Sequence, residues 1–428
     1  MSMKQETAKS KKLNKKLLEN TVMLYIMKFA GYLFSFIVVP YQTRVLSQEC
    51  YGGLSLALGV MMYFTMLIDY GFMVSGVTEV SNNRDNRQRL SECLTCVMVI
   101  RVGLSLLSLA IMTVMVYAIP SYRPWAAAFY IYLAAIVLEA LLPMFFLRGM
   151  EDMRTVAVLT LVSKAVMTAL IFIMVKSDED YLLVPGMRLA GAALSFIIAW
   201  VYITKKYKVG LTGVTGKQLV ASLKNSFGFF VSRIASTVYR GGNTAILGAT
   251  LPASMVALYA CPEKVMNVGM TMSSPISDSL LPYVSKTHDY KSAWRMMRII
   301  LPVVIIGGAV GFVWAEPIIS LVFGAQYVES ANVLRAFIPI IAITPINYIL
   351  AFPVLVPMGL QKQSNLANII GAAVYVIGMG LLWFTGHITI LSAAVVLMIT
   401  ECSVTVWRAA TVMKHRDRLK MKGGNLPL

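Results

Sequence analysis

Residues 223–243 read LKNSFGFFVSRIASTVYRGGN. The stretch is apolar enough to enter a bilayer, yet it carries Arg233 and Arg240. Asn225 or Ser226, Phe229, Arg233, Ser236 or Thr237, Arg240 and Asn243 recur at steps of three and four. That spacing draws one polar stripe along an otherwise greasy helix. An arginine at bilayer depth costs about 2.5–3.5 kcal/mol on insertion scales, so two on one stripe are expected to face protein or water rather than lipid.

The rest of the chain has the same character. Of its 428 residues 58% are hydrophobic and only 14% charged, with a mean hydropathy of +0.71. A soluble domain carries about a quarter charged residues. Apolar runs repeat from end to end, which marks an all-α polytopic membrane protein. Helices are expected at 18–40, 52–76, 93–119, 125–147, 155–175, 182–204, 219–249, 252–281, 293–315, 331–357, 364–385 and 388–411, twelve in all. The lysine-rich start has neither the short apolar core nor the small-residue cleavage site of a secretory signal, so the run near 20–40 reads as a retained first helix.

The net charge of +18 is distributed unevenly over the loops. The N-terminal lysines, then Arg84, Arg87 and Arg89, Arg148 and Arg154, Lys205 to Lys217, Lys286 to Arg298, Lys362 and the C-terminal group form one alternating set of 26 basic residues. The other set holds 3: Arg44, Arg123 and Lys176. The positive-inside rule then places both termini in the cytoplasm and the chain in the cytoplasmic membrane. The basic ends suit anionic lipid head groups rather than nucleic acid.

The chain also repeats itself. Shifted by 205, LLENTVMLYIMKFA (17–30) lies over SLKNSFGFFVSRIA (222–235), and Lys28 meets Arg233. Shifted by 210, LPMFFLRGME (142–151) lies over FPVLVPMGLQ (352–361), and Pro143 meets Pro353. Two halves of six helices insert the same way up. They form an N-lobe, 1–210, and a C-lobe, 211–428, related by a pseudo-two-fold axis along the membrane normal, with a substrate site expected at their interface.

From its helix start Lys28 is about 13 Å deep, and Arg233 is at a similar depth, near the middle of a core about 30 Å thick. The repeat therefore expects two cations on opposite walls of one cleft, with Arg240 nearer the outer mouth. Lys28, Arg233 and Arg240 are the candidate substrate-binding residues. Asp69, Glu139, Glu263 and Asp278, with Glu401, are the expected buried carboxylates; such acids either pair with cations or carry a coupling proton or sodium ion. Arg101, Lys164, Arg188 and Arg335 lie closer to expected helix ends. Because intramembrane cations outnumber acids, an anionic substrate is favoured over a cationic drug. Gly241-Gly242 and the prolines 339, 345, 353 and 357 are expected kink sites. Cys93 and Cys96 form a lone C-x-x-C, read as structural thiols. No metal, no catalytic residue and no cofactor is expected; P-loop, G-x-S-x-G and H-E-x-x-H motifs are absent from the sequence.

The stretches VVPYQTRVLSQECYGGLSLA, LIDYGFMVSGVTEVSNNRD, SRIASTVYRGGNTAILGATLPASMVALYA, SSPISDSLLPYVSK and FGAQYVESANVLRAFIPI resemble bacterial polysaccharide repeat-unit flippases of O-antigen and capsule type. These belong to the multidrug/oligosaccharidyl-lipid/polysaccharide export superfamily. The resemblance implies two six-helix lobes around a cationic cavity. It also implies alternating access that moves an undecaprenyl-diphosphate-linked oligosaccharide between leaflets, upstream of polysaccharide polymerase machinery. By that likeness Lys28, Arg233 and Arg240 engage the diphosphate and acidic sugars. The related lipid II flippases have fourteen helices, which argues against that role for a chain read with twelve. Other readings of the sequence are a drug/cation antiporter of the same superfamily and a membrane glycan polymerase or ligase; the latter usually carries a large external loop with catalytic Arg or His, and the loop near 315–331 carries neither.

Overall fold

The computed structural model describes Gly31, Phe34 and residues 36–417, apart from the side chains of Ser232, Ala235, Ser236 and Arg240. Lys28 lies outside the described residues. Every regular element among them is helical. After a helical stretch at 36–45 come α1 (Gln48–Asp69), α2 (Phe72–Asn82), α3 (Arg87–Ala118), α4 (Ala126–Leu141), α5 (Met144–Gly149), α6 (Met153–Met174) and α7 (Leu183–Lys206). The chain continues with α8 (Gly216–Thr250), α9 (Ala253–Thr271), α10 (Ser274–Thr287), α11 (Tyr290–Val313), α12 (Ala315–Phe323), α13 (Ala331–Ile349), α14 (Gln361–Thr385) and α15 (Ile390–Lys414).

Local chemistry sets the helix starts. The Asn86 side chain accepts the Arg89 amide at the start of α3, and Thr215 and Gln218 exchange side-chain and backbone bonds before α8. Thr389 and Ser392 form a capping box at α15. Each satisfies an amide that the first turn leaves without a partner.

Nine spans among the described residues are long and apolar enough to cross a bilayer. Their outward faces are greasy: Leu106, Val114 and Tyr117 on α3, and Val303, Ile306 and Val313 on α11, are each more than half exposed. A surface of this kind is stable against lipid chains, not water. The chain is a multi-pass membrane protein. The polar stripe of α8 keeps it out of the nine, Glu263, Lys264 and Asn267 do the same for α9, and α10 is too short.

Several expected boundaries moved. The expected helix 52–76 is broken at Tyr70 and Gly71, both at positive φ. The expected helix 125–147 is broken at Leu142-Pro143, and 252–281 at Met272-Ser273. By contrast α8 runs unbroken through Gly241 and Gly242, so the expected kink is not a break there; a glycine pair inside a well-packed helix need not open it. The region after α11, expected as a loop, holds α12 and a 3-10 turn, Ala325–Ser330. A nine-residue helix is too short to leave a clear periodic signal. Only Pro353 coincides with a changed helical pitch, a π-turn at Leu350–Val354.

The chain packs into two units. One holds the described residues up to Leu46 together with Val60–Arg233; the other holds Ser47–Gly59 and the chain from Ile234 onward. In the first, α4 and α6 pack on α7, α3 packs on α4, and α2 packs on α5. In the second, α14 packs on α15, and α13 packs on α9, α11 and α15.

In the first unit, Asp152 ties the start of α6 to the end of α7. Its carboxylate accepts bonds from the Tyr202 and Tyr207 hydroxyls at 2.7 and 2.9 Å, the Lys206 ammonium at 2.7 Å and the Thr155 hydroxyl at 2.9 Å. Burial alone would raise its pKa, but these donors hold it down to about 2. A depressed carboxylate contributes stability that is fully present above its unfolded value, near 4, and lost as pH falls through the folded one. Asp152→Asn is therefore expected to destabilise the protein by about 1–2 kcal/mol, or about 2–4 °C in melting temperature at neutral pH. In thermal melts of detergent-purified protein, the gap from wild type narrows as pH falls below about 4.

Candidate functional site

The break between α1 and α2 builds the site. Asp69 is the last residue of α1, and the left-handed turn at Tyr70-Gly71 follows it directly. Gly71 is required twice over. Its φ of 85° is one that a side chain disfavours, and a Cβ there would meet Phe229 Cβ at 2.9 Å and the Ser226 carbonyl at 3.0 Å. The missing side chain lets α8 lie directly on the turn. Tyr70 stacks on Phe230 with centroids 4.6 Å apart, and the Ser75 and Ser226 hydroxyls bond at 2.7 Å. About one helical turn after Phe229 and Phe230, Arg233 reaches Asp69.

The Asp69 carboxylate is divided between two arginines. Oδ1 accepts from Arg101 Nη2 at 2.8 Å, and Oδ2 from Arg233 Nη1 at 2.5 Å. The two cations differ in environment: the Arg101 side chain is 2% exposed and that of Arg233 51%, with Asp69 at 12%. Arg101 is also fixed by a bond to the Ala140 carbonyl, and its guanidinium sits 5.9 Å from the Phe72 ring and 5.4 Å from that of Phe145. It is the permanent partner, and Arg233 presents a charged head at the edge.

A second ion cluster lies elsewhere in the same unit, with its side chains about a third exposed. Glu139 receives Arg188 in a two-pronged pair, Nε to Oε1 and Nη2 to Oε2, both 2.8 Å. Lys164 lies within electrostatic reach of both. In the second unit, Glu263 is buried and accepts from Thr244 at 3.0 Å, with no salt bridge among the described residues. Glu401, also buried, accepts from Asn347 at 3.2 Å, and Asn347 in turn accepts from Arg408. Glu401 lines a cavity of about 90 Å³ together with Asn267, Thr271 and Tyr348. Asp278, expected to be buried, is exposed on α10, where the neighbouring Ser277 takes the buried face.

Residues 17–288 match the family of polysaccharide biosynthesis proteins. The chain belongs to that family. Two relatives are described as O-antigen transporters. One, from Shigella dysenteriae, is 25% identical over 84% of this chain and 91% of its own length. The other, from Escherichia coli strain K12, is 22% identical over 90% of this chain and 94% of its own. Among solved structures, an inward-facing multidrug-resistance MATE transporter of the MOP superfamily aligns with a TM-score of 0.69 at 13% identity, over 94% of this chain and 98% of its own. The lipid II flippase MurJ, inward closed, also aligns at 0.69 and 13%, over 94% and 89%. The two structures establish the fold. With the family, the chain is a membrane transporter of polysaccharide biosynthesis and not an enzyme.

In this family member, the structure brings together Asp69 and Arg233 from the expected set. Lys28 lies outside the described residues, and so does the Arg240 side chain. Asp69 and Glu139 each sit in an ion pair, which the sequence left open. Sequence reasoning missed Arg101 as the central partner of Asp69, and it assigned Arg148 to loop charge. The available signal was only that Arg101 lies 14 residues into a helix that starts earlier than expected, at Arg87.

The unequal burial of the two arginines predicts unequal effects. Arg101→Ala removes the buried charge-assisted bonds to Asp69 and Ala140, leaves Asp69 with the half-exposed Arg233, and is expected to cost about 1.5–3 kcal/mol. Arg233→Ala leaves Asp69 paired and costs under about 1 kcal/mol. Thermal unfolding of the two purified variants, compared with wild type, measures both.

Proposed function

We propose that this transporter is a flippase for undecaprenyl-diphosphate-linked oligosaccharide repeat units, and that the diphosphate binds at Arg233. The carrying observation is a half-exposed arginine held at the edge of a membrane-embedded unit by a carboxylate already satisfied by a second, buried arginine. A planar guanidinium binds phosphate oxygens in a two-pronged way, and an exposed one is available to do so. Membership of the polysaccharide biosynthesis family and the relatives described as O-antigen transporters support the substrate class.

On this reading twelve helices form the lobes 1–210 and 211–428, with both termini on the cytoplasmic side of the cytoplasmic membrane. Lys28 is the counterpart of Arg233 across the repeat, and Arg240 continues the path outward. The polyprenyl tail stays in lipid while the glycan crosses by alternating access and passes to polymerase machinery. Anionic lipids gather at the basic loops. Coupling to a proton or sodium gradient falls to Glu263, a buried acid with a hydroxyl donor and no salt bridge among the described residues. A drug/cation antiporter fits less well, because the arginines around Asp69 exceed it in charge.

Replacing Arg233 by Ala is expected to cut surface polysaccharide at least about tenfold, the loss of one charge-assisted bond being about 1.5–3 kcal/mol. Output is read on whole cells with membrane abundance matched to wild type. Wild-type output at equal abundance removes Arg233 from the site.

A further inference from the structure

One face of α7 is greasy and ends in two lysines. Ile197, Val201 and Lys205 follow one another at steps of four, and Ile198, Tyr202 and Lys206 do the same beside them. Residues four apart on a helix lie on one face, so two rows run side by side, apolar along their length and cationic at the end. Together the six side chains line an open groove of about 650 Å³. Ile197 is 59% exposed, Ile198 42% and Val201 47%, so no side chain among the described residues covers it. The rows are about 12 Å long from Ile197 to Lys205 at the helical rise. The lysines are the last residues of a helix long and apolar enough to span the bilayer. The apolar rows therefore lie at the depth of the acyl chains and the ammonium groups at that of the head groups.

The two lysines differ. Lys206 is pinned: its ammonium donates to Asp152 Oδ2 at 2.7 Å and to the Tyr202 hydroxyl at 2.6 Å, and it lies 4.9 and 5.1 Å from the centres of the Tyr202 and Tyr207 rings. Asp152 offsets its charge, but an ammonium has a third N–H to give. Lys205 is exposed and has no carboxylate partner among the described residues. The groove thus ends in one positive charge that Asp152 does not offset. We infer that it seats one anionic phospholipid, a diacyl phosphodiester with a single negative charge, its acyl chain along Ile197, Ile198 and Val201 and its phosphate between Lys205 and Lys206. A phosphodiester presents two unesterified oxygens, one for each ammonium. A zwitterionic lipid brings its own cation against Lys205, and a free phosphate makes none of the chain contacts. Asp152 and the two tyrosines fix Lys206 before the lipid arrives, so less freedom is lost on binding. This is one fixed seat, beyond the general attraction of basic loops for anionic lipid, and it stands independently of any role for Arg233.

The test uses the full chain, purified in detergent and stripped of lipid. It is titrated with dioleoyl phosphatidylglycerol or dioleoyl phosphatidylcholine, and bound lipid is counted by native mass spectrometry. Wild type is expected to hold one phosphatidylglycerol at least about tenfold more tightly than phosphatidylcholine, as one charge-assisted contact allows. Lys205→Ala brings the two lipids within about threefold of each other. Its lipid-free melting temperature stays within about 1–2 °C of wild type, because the side chain is exposed. Lys362→Ala, which removes an exposed cation elsewhere, keeps the preference. Lys206 is left in place, since its loss would also break the pair with Asp152. Glycerophosphoglycerol, the head group without chains, does not displace the lipid when added in excess. An unchanged preference in Lys205→Ala, or an equal loss in Lys362→Ala, overturns the seat. Displacement by glycerophosphoglycerol overturns it too, by making it a plain phosphate site. Displacement by a prenyl-diphosphate sugar that depends on Lys205 gives the groove to the transported substrate and overturns the phospholipid as its occupant.

Discussion

A guanidinium enclosed by hydrocarbon must keep a carboxylate, and Arg101 keeps Asp69. From that one pair the rest of the site follows. Asp69 ends its helix, so its carboxylate is fixed at a break and cannot slide along a regular face. The turn that follows needs a glycine, the glycine admits α8, and α8 delivers Arg233. One acid thereby carries two cations of opposite character, one sealed in and one presented. The proposed anion site rests on that second, half-exposed cation.

Arg233 was legible before any coordinates because a helix prints its faces in the sequence at steps of three and four. The same periodicity located the greasy spans and the polar stripe of α8. It could not report the partner, because pairing between α1, α3 and α8 depends on how helices pack and not on spacing within one of them. Arg101 looked peripheral only because the Asn86 cap starts α3 six residues earlier than its apolar run suggests. Arg148 looked like loop charge because the expected helix 125–147 stops one residue short of it, whereas α5 runs on to Gly149. Asp278 misled in the opposite sense: an apolar run says that a segment enters the membrane region and not which of its faces is covered, and Asp278 is on the exposed one.

The two units use buried polarity differently. In the first, Asp69 and Glu139 are in salt bridges with arginine. In the second, polar side chains are mainly satisfied by neutral partners: Asn243 donates to Tyr259 at 2.5 Å and accepts from Tyr375 at 2.6 Å, while Thr244 serves Glu263. Amide and hydroxyl partners let a carboxylate exist with or without its proton, whereas a guanidinium partner holds it ionised. The first unit suits attraction of a fixed anion, the second suits a group that changes its charge.

Neither unit is a continuous piece of chain. Ser47–Gly59, early in the sequence, belongs with the late helices, and the first half of α8, up to Arg233, belongs with the early ones. A chain severed in the connection between α7 and α8 would thus yield two fragments, each lacking a part the other holds. The early fragment would hold Asp69 but no α8 to cover Gly71; the late one would lack the Tyr51 that edges onto Tyr327. Such halves could recover the fold only by complementing one another. Neither unit is therefore a free-standing module to be trimmed or transplanted.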